Sequence, residues 1–333
     1  MLTVKSILKN LCEVDFIGGV GSAIDVAEGY LSKYCTVRRD GNNLFGEIKG
    51  KSDYTILFDA HLDQIGMVVT SIKGGFLKVA TAGGIDSRML AGMRVTIFGK
   101  EVVNGVFCST PPHLSKSDAV QKTEDMFIDT GLGDRAEDII SVGDRVVFSA
   151  DFTKLAGNKV TGKSLDDRAG CTALIKCAEM LSGKELPCNV VFLLSDMEEL
   201  GGMGAKTMSF GITPDVAVAV DVSFGNAPDI SPDKTGVLGG GAMIGISPVL
   251  STSVTNSLKE IANKNEIKHQ LEVMGGKTST NADKIVDTKC GVPTGLLSIP
   301  LRNMHTPIEI VDLNDIISVA EILADFVLTR EVK

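Results

Sequence analysis

The alternation of apolar and polar positions divides the chain into stretches of different texture. Residues from about 3 to 35 carry apolar side chains at helical spacing, interrupted at Phe16-Ile17-Gly18-Gly19-Val20-Gly21, which predicts helix, loop, helix. Thr36 to Ile48 alternates around Asp40-Gly41-Asn42-Asn43 and predicts a hairpin. Tyr54 to Phe58 is an apolar run that predicts a buried strand, with Asp59-Ala60-His61-Leu62-Asp63 at its carboxyl end, where open α/β sheets place their chemistry. From about Met67 to Ala156, short β-branched segments alternate with glycines and polar turns, the pattern of an all-β module. Within it lie Pro111-Pro112-His113-Leu114 and a polar connector from Ser115 to Glu124. After Asn158 the α/β rhythm returns, with helices over Arg168–Ser182, Thr252–Glu266 and Asp312–Leu328 and strands over Val190–Leu194, Val216–Val220 and Thr294–Ile299. The expected fold is α/β, a mixed-sheet α/β/α domain built from residues 1–66 and 157–333, interrupted by a barrel-like β domain over 67–156.

Composition narrows the class. A chain of 333 residues with 36 glycines suits a large turn-rich globule with an insertion, and no apolar run is long enough to span a bilayer. The first residues read as an amphipathic helix rather than a secretory signal, so the expected location is cytoplasmic and no membrane partner is expected. The cysteines, Cys12, Cys35, Cys108, Cys171, Cys177, Cys188 and Cys290, are scattered without a CxxC, which argues against a disulfide framework or a zinc knuckle. A formal charge of −9 with no basic stripe argues against nucleic acid as a partner.

The candidate chemistry sits at strand ends. Val190–Leu194 stops before Ser195-Asp196-Met197-Glu198-Glu199, and Gly201, Gly202 and Gly204 interrupt the chain just beyond, so Glu198 and Glu199 are expected in a tight loop. Neighbouring residues there point different ways, so one carboxylate can face a metal while the other faces a bound water. Alone, the pair reads as a solvated acidic turn, and the metal reading depends on partners elsewhere in the chain. His61-Leu62-Asp63 places His and Asp on one side of a strand, where Asp63 can accept the second ring N–H of a metal-bound His61; a surface His–Asp pair has the same spacing. Asp166 and Asp167 open a predicted helix and suit either an N-cap or a metal. Asp221 follows five apolar residues, Val216 to Val220, and a buried unpaired carboxylate there requires a cation or a hydrogen-bond network. His305, in Met304-His305-Thr306-Pro307, is individually the weakest candidate, His113 falls in the β module, and His269 reads as solvated at a helix exit. Taken together, two imidazoles and at least three carboxylates are the ligand mix for a pair of first-row divalent ions, zinc, cobalt or manganese.

With these residues assembled, the chain resembles, nearly end to end, the TET-type co-catalytic metallo-aminopeptidases. That family also carries the names glutamyl aminopeptidase, deblocking aminopeptidase and CelM-type endoglucanase. His61-Leu62-Asp63 is similar to its HxD, Leu165-Asp166-Asp167-Arg168 to its LDDR, Glu198-Glu199-Leu200-Gly201 to its EExG, and Met304-His305 to its terminal metal histidine. The resemblance implies two divalent ions per subunit, one held by His61 and Asp221, the other by Glu199 and His305, with Asp166 bridging. It further implies Glu198 as general base, Asp63 as the partner of His61, and the β module as a dimerisation domain from which a dodecamer is built. The expected reaction is hydrolysis of the N-terminal peptide bond of substrates with a free N-terminus: Glu198 takes a proton from a water shared by the ions, the hydroxide attacks the carbonyl, and Glu198 returns the proton to the leaving amine. The chain departs from the family pattern at Gln64, Gly202-Met203-Gly204, Thr280-Asn281-Ala282 and Asn303, positions that leave the ligands and the base in place. Two readings of other classes remain: a glycoside hydrolase using a carboxylate pair, against which the absence of Trp weighs, and a non-catalytic metal-binding or peptide-binding assembly protein. Hydrolysis of an acylated amino acid would keep the chemistry and change the substrate.

Overall fold

The computed structural model describes residues 3–111, 113–114 and 120–331. Pro112 of the Pro111–Leu114 segment, and residues 115–119 of the polar connector, lie outside the described residues.

Four parallel strands, Thr294–Leu301, Val216–Phe224, Thr55–His61 and Asn189–Ser195, form the centre of an eight-stranded mixed sheet. Ala242–Ile246 and then His269–Val273 extend it on one side, and the hairpin Asn43–Ile48 with Thr36–Asp40 extends it on the other. The central strands read as near-continuous apolar runs because both faces are covered. Ile56, Phe58 and Ala60 pack with the helices Val4–Cys12, Ala23–Leu31, Leu165–Leu181, Thr252–Lys264 and Leu313–Leu328. Leu57 packs on the opposite face with Val191, Leu193, Ala217 and Ala219, under Met203–Ile212 and Ala282–Val286. Alternation puts His61 on the Leu57 face. Register places Ala219 beside Asp59, so Asp221 arrives next to His61 on that same face.

The insertion is a closed barrel of antiparallel strands in the order Ile128–Asp129, Phe76–Ala82, Gly66–Lys73, Arg145–Phe148, Arg94–Phe98 and Val102–Phe107, the last pairing back to the first. Closure leaves it no open edge. Its interior is separate from the sheet's core and is filled by Met67, Val69, Leu77, Val79, Val95, Ile97, Phe107, Ile128, Val146 and Phe148. A small sheet of Thr153–Lys154, Lys159–Gly162 and Glu309–Asp312 takes its first two strands from the stretch between the barrel and the Leu165 helix. Among the described residues no helix is long and apolar enough to cross a membrane.

Several elements differ from the sequence reading. Phe16–Ile17 and Val20–Gly21 pair as a small hairpin where the glycine spacing predicts a loop, with Gly18 and Gly19 at positive φ in its turn. Met203–Ile212 is helical despite Gly204 and Gly211, because burial of Ala205 overrides weak local propensity. Ala242–Ile246 and His269–Val273 are strands too short to declare themselves by alternation, and His269 opens the second of these with its Nδ1 2.9 Å from the Ile267 carbonyl.

Two buried polar contacts hold the frame beneath the strand ends. Arg168 is fully buried, and its guanidinium donates to the carbonyls of Leu62 (2.7 Å), Leu11 (2.6 Å) and Val14 (3.4 Å) and to Gln64 Oε1 (3.1 Å). It thereby ties the first helix to the end of the His61 strand. Asp315 accepts the backbone N–H groups of Gly239 (2.8 Å) and Gly241 (2.7 Å). Burial pushes its carboxyl up to about 6 against those two bonds.

Replacing Arg168 by Lys leaves several of these buried carbonyls unpaired, and a urea titration should register a loss of roughly 2–4 kcal/mol. A loss below about 0.5 kcal/mol would remove Arg168 from the frame. For Asp315, the folded-state value lies above the ordinary one, so its contribution is fully present below the unfolded value near 4 and is lost as pH rises through about 6. The stability of the wild type minus that of Asp315→Asn should therefore fall by roughly 2–3 kcal/mol between pH 4 and pH 7. A flat or rising difference contradicts the assignment.

Candidate metal centre

The donor side chains converge from strand ends and the loops just past them. His61 ends the Thr55–His61 strand, and Asp221 lies within Val216–Phe224. Glu199 comes from the turn after Asn189–Ser195, Asp166 from the segment after Lys159–Gly162, and His305 from the turn after Thr294–Leu301. They form two groups of three, His61–Asp166–Asp221 and Asp166–Glu199–His305, in each of which the donor atoms lie within 4.8 Å of one another. Asp166 belongs to both. Its Oδ1 is 3.0 Å from His61 Nε2 and its Oδ2 is 3.3 Å from His305 Nε2, so each carboxylate oxygen faces one group. Asp221 Oδ1 is 3.8 Å from His61 Nε2, and Glu199 Oε1 is 3.4 Å from His305 Nε2. Both groups have the geometry and the mixed nitrogen and oxygen donors to hold a divalent ion.

Asp63 lies just past the end of its strand and serves two neighbours. His61 Nδ1 is 3.2 Å from the Asp63 carbonyl and 3.4 Å from its Oδ1. The same carboxylate accepts the backbone N–H groups of Glu198 (3.1 Å) and Glu199 (3.3 Å), which fixes the glutamate turn against the histidine. Glu198 belongs to neither donor group. The capping role divides differently from the sequence reading: Asp167 accepts Gly170 N–H at 2.9 Å and His61 N–H at 3.3 Å, which leaves the Asp166 carboxylate free for the histidines.

The electrostatics are those of crowded, buried acid. Burial, and after it proximity to Asp166, raises Glu199 to about 8. Burial likewise raises Glu198, Asp167, Asp221 and Glu309, each facing other carboxylates. Asp166 is the exception: burial is outweighed by its contacts with His305 and His61, which hold it below the usual carboxylate range. Burial opposes charge on His61, but Asp166 and Asp63 carry it well above an ordinary histidine, and the contact with Asp166 brings His305 to about 9. Two imidazoles do not neutralise this many carboxylates, and divalent cations would.

Residues beyond those predicted complete the surroundings. Glu309 is 2% exposed and engages the backbone of two donor residues; its only sequence signal is an acid shortly after His305. Asn281 lies beneath the site, donating to Asp59 Oδ2 (2.8 Å) and Ser195 Oγ (2.9 Å). Gln64 is buried as well, accepting from Arg168 and from Phe16 N–H at 3.3 Å, and its role is in the frame. Asn303, at positive φ, closes its turn by donating to the Ile308 carbonyl at 3.1 Å. An open cleft of about 470 Å³ lies against His305, lined by Gly84, Asp86, Arg88, Met89, Met304 and Thr306. His113 and His269 join neither donor group.

Comparison with known proteins identifies the family. The chain is 31% identical over 284 residues to the lysyl aminopeptidase of Pyrococcus furiosus, an alignment covering 82% of this chain and 81% of that one. Its structure superposes on an aminopeptidase from the archaeon Desulfurococcus kamchatkensis with a TM-score of 0.93 and 31% identity, covering 98% of this chain and 95% of the other. A TET peptidase of Pyrococcus horikoshii, which can assemble into a tetrahedron or a large octahedral shell, matches with a TM-score of 0.87 and 30% identity over 98% of this chain and 100% of that one. The model of the M42 glutamyl aminopeptidase family matches residues 42–322, and with donors, fold and relatives in agreement, the chain belongs to that family and is a peptidase.

Proposed function

We propose that the protein is a dinuclear metal-dependent aminopeptidase that hydrolyses the N-terminal peptide bond of peptides. The observation that carries this reading is the pair of donor groups sharing Asp166, with Glu198 next to Glu199 in the same turn and part of neither group. In this reading His61 and Asp221 would hold one cation and Glu199 and His305 the other, with Asp166 common to both groups. When bound, the cations would lower the pKa of a water and polarise the scissile carbonyl. Glu198 is the base that would accept a proton from the attacking water and return it to the leaving amine, a task favoured by burial that raises its carboxyl. Asp63 positions both partners, holding the His61 ring through Nδ1 and the Glu198 backbone through its N–H. The peptide enters by the cleft against His305.

We further assign residues 1–66 and 157–333 to the catalytic unit and 67–156 to the module through which subunits pair and build a larger shell. Support comes from the barrel's separate core and from the assembling TET relative. Zinc, cobalt and manganese all suit the donor set.

Protein stripped with EDTA should release nothing from a panel of aminoacyl-p-nitroanilides and regain turnover when zinc, cobalt or manganese is restored. N-acetylated versions of the same substrates should stay intact. Cleavage of the blocked substrates alone would replace the aminopeptidase reading with an acylamino acid hydrolase. Glu198→Gln should take up cations as the wild type does and lose turnover by at least ~100-fold. Wild-type turnover in that variant would remove Glu198 from the proton transfer.

A further inference from the structure

Glu309 belongs to neither donor group, yet both of its oxygens are engaged by donor residues. Its Oε2 accepts the backbone N–H of Asp166 at 3.1 Å, and its Oε1 accepts the backbone N–H of His305 at 2.9 Å. The side chain is 2% exposed. It opens the strand Glu309–Asp312, which pairs antiparallel with Lys159–Gly162 and sets Glu309 opposite Gly162. That ladder joins the segment running forward to Asp166 with the segment arriving from His305. One carboxylate therefore spans the two chain segments that must keep a fixed separation.

We propose that Glu309 is a positioning residue that sets the span between Asp166 and His305, and that it matters chiefly for the cation position formed by Glu199 and His305. The inference rests on the metal-dependent reading above. The two N–H groups meet different oxygens of Glu309, so both ends of the group must accept, which a carboxylate allows and an amide, with a donating NH2 at one end, does not. The asymmetry between positions follows from how each is built. His61 and Asp221 lie in adjacent strands of the central sheet; His61 is 1% exposed with Asp63 behind its ring, and Asp221 Oδ1 accepts Val222 N–H at 2.8 Å. His305 instead sits in a turn, its side chain 32% exposed and its backbone at a φ of 62°, in the left-handed region uncommon for residues other than glycine. Backbone bonds between Arg302 and Ile310, both 3.0 Å, close the base of the turn, and the side-chain ties within it, Asn303 Nδ2 to the Ile308 carbonyl at 3.1 Å and Thr306 Oγ1 to the Asn303 carbonyl at 2.7 Å, are exposed. The buried side chain that bonds the His305 backbone is Glu309.

A role as long-range charge makes a different demand. A charge acting through space supports both cation positions, and aspartate would supply it as well as glutamate. A clamp fails with aspartate, whose shorter stem does not reach both N–H groups, and it fails unevenly.

The test is stepwise titration of the stripped full-length protein with zinc alone, followed by calorimetry, on wild type, Glu309→Gln, Glu309→Asp and Val311→Ala. Val311 is fully buried on the same strand and reports a merely weakened strand. Wild type should take up two ions in separate steps. Both Glu309 variants should hold the first ion within about three-fold of wild type and weaken the second by ~10–100-fold. Val311→Ala should lower the thermal midpoint and leave both steps in place. Unchanged affinities in the Glu309 variants, equal weakening of both steps, a wild-type response in Glu309→Asp, or the same loss in Val311→Ala would each overturn the proposal. Wild-type protein that takes up no zinc overturns the metal reading itself, and the clamp with it.

Discussion

The structure around the strand ends depends on how the protein keeps many carboxylates buried beside two imidazoles. The backbone neutralises some of them. Asp63 takes the N–H groups of Glu198 and Glu199, Asp167 those of His61 and Gly170, and Glu309 those of Asp166 and His305. Each of these carboxylates bonds to the backbone of a residue that carries chemistry, so the charge that threatens the fold is also what aligns the site. Asp166 and Glu199 direct their oxygens at the histidines instead. Such acids are costly without a cation and favourable with one, which is the division a metal centre requires.

Register does the rest of the alignment. In a parallel sheet, residues two apart on one strand share a face, and the pairing of Ala219 with Asp59 leaves no freedom in where Asp221 falls relative to His61. The position completed by Glu199 and His305 lacks this support, because both residues come from turns. Its geometry rests on side-chain contacts to backbone, from Asp63 on one side and Glu309 on the other. One half of the centre is thus built by secondary structure and the other half by buried polar contacts.

The same distinction decides how much of this is legible in the sequence. The strands that end in or lead to His61, Glu199 and Asp221 announce themselves as apolar runs, so the placement of those residues at strand ends is readable from pattern, while their pairing into two groups comes from the family resemblance. The β texture of residues 67–156 is equally plain, because short β-branched segments between glycines have few alternatives. The features that escape are tertiary in origin. Glu309 looks like an ordinary acid near a proline, and nothing local says that its partners are the N–H groups of Asp166 and His305. The helix Met203–Ile212 is glycine-bearing and forms because the sheet covers it. Asp166 and Asp167 are adjacent and chemically identical, so residue pattern does not separate the cap from the donor; the family resemblance points to Asp166, and backbone direction at the turn aims Asp166 at the histidines and Asp167 at Gly170 N–H.

The inserted barrel is more than an appendage, because its rim touches the centre. A Cβ at Gly83 would stand 3.2 Å from Glu199 Oε2, and one at Gly84 would stand 2.8 Å from His305 Nδ1, so larger residues there would push on both side chains. The loop that begins with these glycines goes on to supply Asp86, Arg88 and Met89 to the cleft, opposite Met304 and Thr306. The wall of the cleft is therefore shared between the barrel's loop and the turn that carries His305.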